Sequence, residues 1–282
     1  MGPNSSERPA AQSAAAFYDR WSETFLRRAG SSFQSGLIPA SPGAVEDPDA
    51  SAVMLARRAG IGPGDVVLDA GCGVGGPAIA MARHLGAIVH GVTVSPVQVR
   101  LGRILAAEAG VAHRVHLHLA DFHRLPFAAD RFDAVVVMEA TCYSDDLSAL
   151  VGELARVLRP DGTLYVKDVF QRSGPLDDTQ RRDLDRFHEI WACKSSATMP
   201  ALEKAMTAAG LEVVVCAELT EIGTDHFYAA MLEVDPADGM RLNEMGRHFL
   251  QWGDVPIIWG EVVGRKPLQS SGTTATAVIS TS

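Results

Sequence analysis

Positive charge is what this sequence has least of relative to need. Lys and Arg number 25 against 34 Asp and Glu, a formal net charge of -9 at pH 7. That balance excludes nucleic-acid binding through a generally basic surface, and any anionic ligand needs a local basic cluster. Cysteine is scarce too. The four, Cys72, Cys142, Cys193 and Cys216, stand far apart with no C-x-x-C pair. A disulfide framework or a zinc site is therefore not expected, no metal ligands are assigned, and a reduced cytoplasmic setting fits. No apolar run approaches the roughly 18 residues of a membrane span. The opening "MGPNSSERPAAQ" has no apolar core of a secretory signal. Internal repeats are lacking as well. The Ser/Thr-rich end "SSGTTATAVISTS" has the composition of a disordered tail.

What is present is an alternation. Hydrophobic residues make up 47% of the 282 and charged residues 21%, ordinary values for one large globular domain or a domain with a cap. From Val66 to Phe170, "VVLDAG", "IVHGVTV", "VHLHLA", "FDAVVVMEA" and "GTLYVKDV" read as strands. Helix patterns over Gly75–Leu85, Ser95–Ala109 and Asp145–Leu158 separate most of them. Strands apolar on both faces and joined through helices predict a parallel α/β sheet covered on both sides. Ser95 before Pro96 is an N-cap with proline at the first helical position, and "RPDGT" (Arg159–Thr163) is a turn into the next strand. Further on come a helix at Met199–Ala209, a strand in "LEVVVCAEL" and a last strand in "VPIIWGEVVG". Near the N-terminus, Phe17, Trp21 and Phe25 recur at i, i+4, i+8, one apolar helical face.

"LDAGCGVGG" (Leu68–Gly76) joins a strand to a helix, and Gly71, Gly73 and Gly76 satisfy G-x-G-x-x-G, which opens the dinucleotide reading. Two features turn the reading from NAD. Asp69, two residues before the first glycine, would repel a pyrophosphate and suit an ammonium. The second strand ends in Thr93 rather than in an acid that grips a ribose.

"VLDAGCGVGG", "GVTVSPVQV", "ADFHRLPFAADRFDAVVVMEA" and "LARVLRPDGTLYVKD" resemble, in order and spacing, the successive motifs of class I S-adenosylmethionine (SAM)-dependent methyltransferases. The resemblance covers about Val66–Phe170. It implies a Rossmann-like seven-stranded sheet with one reversed strand, helices on both faces and a helical N-terminal and insertion cap. It also implies SAM lying along the strand C-termini. By it, Asp69, Gly71 and Gly73 meet the methionine part of SAM, Thr93, Val94 and Gln98 the ribose and adenine, and Asp121 and Phe122 the adenine. The missing ribose acid is a departure, shared with the cyclopropane-fatty-acid, sterol and geranyl diphosphate C-methyltransferase branches.

The segment "FYDRWSETFLRRAGSSFQSG" resembles the helix and loop that close over SAM in such enzymes, with Tyr18, Ser32 and Gln34 as contacts. The domain expectation is a disordered 1–14, a helical lid over 15–60 and a methyltransferase domain over 61–267. Cap insertions fall at about 171–200 and 220–253, with a disordered tail over 268–282. The Phe17–Phe25 face is also a surface through which a homodimer would pair.

"VMEATCYSD" (Val137–Asp145) puts Glu139 and Tyr143 at the mouth of the fourth strand, the functional edge of a parallel sheet. Methylating an alkene carbon creates a carbocation, which a carboxylate stabilises and then deprotonates while aromatic faces assist. The stretches Met138–Val166 and Arg186–Val214 resemble the corresponding region of bacterial prenyl diphosphate C-methyltransferases, which implies that Glu139, also beside SAM, is cation partner and base. A short isoprenyl diphosphate, isopentenyl or geranyl, is the expected small-molecule substrate, in terpenoid secondary metabolism. Mg²⁺ would enter only with the diphosphate. Arg27, Arg28, His188, Lys194 and Tyr228 are candidate diphosphate contacts, Phe187 and Trp191 aromatic substrate contacts, and Arg20 belongs to the same basic cluster as Arg27 and Arg28. The alternative is a small-molecule O- or N-methyltransferase of natural-product biosynthesis, with His226 or His188 as base. Neither reading involves nucleic acid or membrane.

Overall fold

The computed structural model describes residues 13–32, 49–219 and 255–268, apart from the side chains of residues 28 and 29. Seven strands form one sheet: β1 (Val66–Ala70), β2 (Ile88–Thr93), β3 (Val115–Leu119), β4 (Phe132–Met138), β5 (Leu158–Gln171), β6 (Glu212–Glu218) and β7 (Ile257–Arg265). Their order is β3-β2-β1-β4-β5-β7-β6. Strands β1 to β5 are mutually parallel, and β7 runs antiparallel to both β5 and β6. This is the Rossmann-like methyltransferase sheet with its single reversed strand.

The strands are apolar on both faces because both faces are covered. One face packs Val67, Val89, Val136 and Tyr165 beneath α2 (Ala50–Arg58), α3 (Gly76–Ala80) and α4 (Pro96–Glu108). The other packs Leu68, Val135, Leu164 and Val262 beneath α5 (Leu147–Val157) and α7 (Met199–Ala208). Side chains cap the helix starts: Ser95 accepts from Gln98 N at 3.1 Å, Asp146 from Ala149 N at 2.9 Å and Thr198 from Ala201 N at 3.3 Å.

Three elements differ from the sequence expectation. The helix anticipated over Gly75–Leu85 is α3 followed by a wide π-type turn, Met81–Leu85. "RPDGT" is a bulge within β5: register with β4 passes from Phe132↔Leu158 to Ala134↔Thr163, and Asp161 takes φ 64°. The charged stretch after β5 forms α6 (Asp178–Trp191), started by a capping box between Asp177 and Gln180.

Helix α1 (Ala14–Ala29) lies across the C-terminal edge of the sheet. Phe17, Trp21 and Phe25 are at most 5% exposed, packed with Leu184, Phe187, Ile190 and Trp191 of α6 and with Ile257 and Trp259 of β7. The face proposed for dimer pairing is therefore covered by the same chain, because α6 supplies the complementary apolar stripe. α1 and α6 make the cap. α2 instead belongs to the sheet-covering layer, where Leu55, Ala56 and Ala59 enter the core with Ala78 and Ile79.

Candidate active site

Parallel strands deliver all their C-termini to one edge. The loops after β1, β2, β3 and β4 meet there, where strand order turns from β1 outward to β2 and, in the other direction, to β4. They line a cavity of about 410 Å³ roofed by α1 and α6.

Asp69 closes the deep end. It is 1% exposed, and its Oδ2 has no hydrogen-bond partner among the described residues. Burial pushes its carboxyl up to about 7. An unpartnered buried carboxylate oxygen at a ligand cavity calls for a cationic donor, and the α-ammonium of SAM is such a group. Gly71 turns at φ 88°, and a Cβ there would come within 2.5 Å of the Ala140 side chain, so this loop packs directly on the turn after β4. Gly76 is matched to the lid, since a Cβ there would lie 2.1 Å from Ser31 O.

Thr93 donates to Gln98 Oε1 at 2.5 Å, and both side chains are buried beside the cavity. Asp121 and Phe122 stand at the cavity wall as anticipated. Burial alone would raise the Asp121 carboxyl, but the backbone N–H and ring of His123 outweigh it and hold it below its ordinary range. His123 Nε2 also meets Ser144 Oγ at 2.8 Å, joining the loop after β3 to the turn after β4.

Glu139 is held at φ 57°, a costly conformation for a residue with a side chain. Its backbone N–H donates to Lys167 O at 2.8 Å, and its carboxylate pairs with the ammonium of Lys167, which is wholly buried on β5. Next along β5, Asp168 is 1% exposed, accepts from Thr141 N at 2.8 Å and from Thr141 Oγ1 at 2.7 Å, and borders the cavity. Burial raises its carboxyl to about 6 against those bonds. Neither Lys167 nor Asp168 was assigned a role from sequence. Their signal was a charged pair inside the otherwise apolar "LYVKDVF".

Tyr143 borders the cavity, but its hydroxyl is engaged. It donates to Trp191 O at 3.3 Å and meets Tyr18 Oη at 2.6 Å. Burial raises both phenols, so both are neutral and offer ring faces rather than a proton acceptor. Phe187 and Trp191 also line the cavity, and Trp191 stacks on Phe25 at 6.1 Å.

Other expectations are corrected. Arg27 lies outside the cavity, exposed, with its guanidinium on Thr24 Oγ1 at 3.2 Å. Arg20 sits over the Trp21 ring at 5.2 Å. His188 points away to Ser196 Oγ at 2.9 Å, because it follows Phe187 on α6 and one step turns it off the cavity face. Burial lowers its imidazole. From the lid loop Gly30 and Ser31 line the cavity, and Ser32 sits behind them. Lys194 does line it, paired with Asp145. Gln34, His226 and Tyr228, with the Arg28 side chain, lie outside the described residues. Among the described residues, then, five carboxylates (Asp69, Asp121, Glu139, Asp145, Asp168) line the cavity against one lysine and one histidine.

Residues 68–166 match the family described as "Methyltransferase domain". Residues 68–166 therefore carry a methyltransferase domain. The chain is 36% identical over 168 residues to methyltransferase GfsG of Streptomyces halstedii, covering 60% of this chain and 59% of that one. It is 41% identical over 112 residues to a sterol 24-C-methyltransferase of Eremothecium gossypii, covering 40% and 30%. The chain thus spans less than two thirds of the length of these curated relatives. Its fold matches geranyl diphosphate C-methyltransferase of Streptomyces coelicolor A3(2), solved with Mg²⁺, geranyl-S-thiolodiphosphate and S-adenosyl-L-homocysteine. The TM-score is 0.72 at 20% identity, covering 92% of this chain and 100% of that one.

Proposed function

We propose that the chain is a SAM-dependent C-methyltransferase acting on an alkene carbon of an isoprenoid. The observation that carries this is the lining itself: carboxylates at Glu139 and Asp168 face a space walled by the rings of Tyr18, Tyr143, Phe187 and Trp191. Asp69 Oδ2 would hold the SAM ammonium, and the loop at Gly71–Gly73 and the Asp121–Phe122 wall would take the rest of the cofactor. When bound, SAM supplies a sulfonium methyl group. Alkene methylation leaves a cation on the neighbouring substrate carbon. Negative charge and aromatic faces in a water-poor cavity stabilise that cation. Glu139, anchored by Lys167, then accepts the adjacent C–H proton, and the C–H electron pair becomes the new double bond.

A sterol C-methyltransferase relative and a geranyl diphosphate C-methyltransferase neighbour both support alkene chemistry. They differ on the head group. Acidic side chains such as those of the described lining would serve either as ligands of the Mg²⁺ that a short isoprenyl diphosphate brings or as partners of the cation on an uncharged isoprenoid. We therefore keep isopentenyl or geranyl diphosphate, with an uncharged isoprenoid beside it. The same acids would suit an amine acceptor, which keeps N-methylation as the second reading.

The test is a product screen with SAM and isopentenyl diphosphate, geranyl diphosphate, geraniol and a sterol bearing a side-chain alkene, each with and without Mg²⁺. Expected is a C-methylated product from at least one of these isoprenoids, with Mg²⁺ required only where a diphosphate is the substrate. Turnover confined to the uncharged isoprenoids would remove the diphosphate from the reading, and only O- or N-methylated product would overturn the alkene chemistry. Glu139→Gln should lose about 100-fold or more in turnover while binding SAM normally.

A further inference from the structure

Two of the four cysteines meet in the cavity wall. Cys142, in the 3₁₀ turn after β4 (Thr141–Tyr143), and Cys193, just past α6, are free thiols 51 residues apart in sequence with sulfurs 3.2 Å apart. Both line the cavity. Their backbones are joined as well, since Cys142 O accepts from Lys194 N at 2.7 Å and from Ser195 N at 3.2 Å. Each side is held from behind. Thr141 is bonded to Asp168 through its amide and hydroxyl, and Ala192, at φ 53°, turns the chain so that Cys193 faces back to the turn. Proposed methyl transfer uses neither thiol.

We propose that Cys142 and Cys193 are a redox-modifiable dithiol in the cavity wall, which a two-electron thiol oxidant, peroxide or glutathione disulfide, converts into a Cys142–Cys193 disulfide. A bonded pair of sulfurs lies about 2.05 Å apart, so the sulfurs need to approach by only about 1 Å. Cys193 is the less buried of the two and meets the oxidant first. With peroxide, the Cys193 sulfur takes one oxygen as a sulfenic acid and one water leaves. The Cys142 sulfur then displaces that oxygen as a second water. Two electrons pass from the thiols to peroxide, and both thiol protons end in water. With glutathione disulfide the Cys193 sulfur first forms a mixed disulfide and one glutathione leaves; the Cys142 sulfur then displaces the second glutathione. The contact with Cys193 and burial both push the Cys142 thiol up, so Cys142 is not the thiol that reacts with the oxidant first. The bond would staple the end of α6, with Phe187 and Trp191, to the turn beside Glu139. The inference is independent of which substrate the site accepts.

The experiment treats the full chain with hydrogen peroxide or glutathione disulfide and maps peptides without reduction. A Cys216→Ser background removes the exposed thiol on β6. Expected are a Cys142–Cys193 linked peptide, a loss of two hydrogens in intact mass, and a higher thermal unfolding midpoint that returns to its starting value with reductant. Cys142→Ser should leave Cys193 trapped as its glutathione adduct. If Cys216 in the parent chain is fully oxidised while no Cys142–Cys193 peptide forms, the proposal falls. It also falls if Cys193 remains a stable glutathione adduct while Cys142 is intact. Should Cys142→Ser fold poorly, the peptide map of the Cys216→Ser chain decides alone; should Cys216→Ser fold poorly, the map of the parent chain does.

Discussion

Asp69 shows how one residue can be poor for stability and good for binding. In the folded chain burial strips the carboxylate of water and raises it to about 7, with no described donor at Oδ2 to offset this, while an unfolded Asp releases its proton near pH 4. Between those values the folded state holds more protons, so unfolding free energy falls as pH rises, by at most a few kcal/mol. A SAM ammonium would reverse this by favouring the ionised form. SAM affinity should therefore rise as pH rises toward about 7 and level off above it. Asp69→Asn should leave the free chain at least as stable at neutral pH yet weaken SAM by about tenfold or more, the size of a charge-assisted hydrogen bond. Thermal melts from pH 4 to 8 and calorimetry with SAM check both. A variant less stable than the parent at neutral pH contradicts the buried, unpartnered carboxylate.

At the scale of elements, α1 decides whether the cavity has a roof. Its apolar stripe was legible from spacing alone, but its partner stripe on α6 was not, since "QRSGPLDDTQRRDLDRFHEIWACK" reads as a charged segment with aromatics toward one end. Polar ties fix α1 to the other side: Ser95 Oγ donates to Asp19 Oδ1 at 2.6 Å and Arg100 to Glu23 at 2.8 Å. The lid thus rests on α6 and α4 without joining the sheet ladder, so it should open on its own. Trp21→Ala removes the central side chain of the contact. It should speed amide exchange of residues 14–27 by about 100-fold or more while leaving β1, β4 and β5 unchanged, as the roughly 3–5 kcal/mol of a buried aromatic truncation requires. An equal loss of protection across the sheet would instead make α1 part of the global folding unit.

For the whole molecule, the order β3-β2-β1-β4-β5-β7-β6 sets the site at the edge where the loops after β1 and β4 diverge. A ligand there touches the glycine loop, the turn after β4 and the lid together, so binding should stabilise the molecule as a unit. SAM at about 100 times its Kd adds roughly 2.7 kcal/mol, worth about 5–10 °C in a chain of this size. NADH at the same concentration should produce no shift, because Asp69 faces where its pyrophosphate would lie. A shift with NADH and none with SAM would reverse the cofactor assignment.

How much of this was written in the chain differs by distance. Strand and helix order, the glycine turn and the acid at Glu139 were determined by the sequence itself, because apolar periodicity, cap residues and local turns act over a few neighbours. Tertiary structure alone decided the pairing of Glu139 with Lys167, the engagement of Tyr143 by Tyr18, the exclusion of Arg27 and His188 from the cavity and the meeting of Cys142 with Cys193. Each of these depends on which way a side chain faces once distant strands and helices pack. A step of one residue along α6 separates Phe187 on the cavity from His188 off it, and no local pattern records where the cap will come to rest.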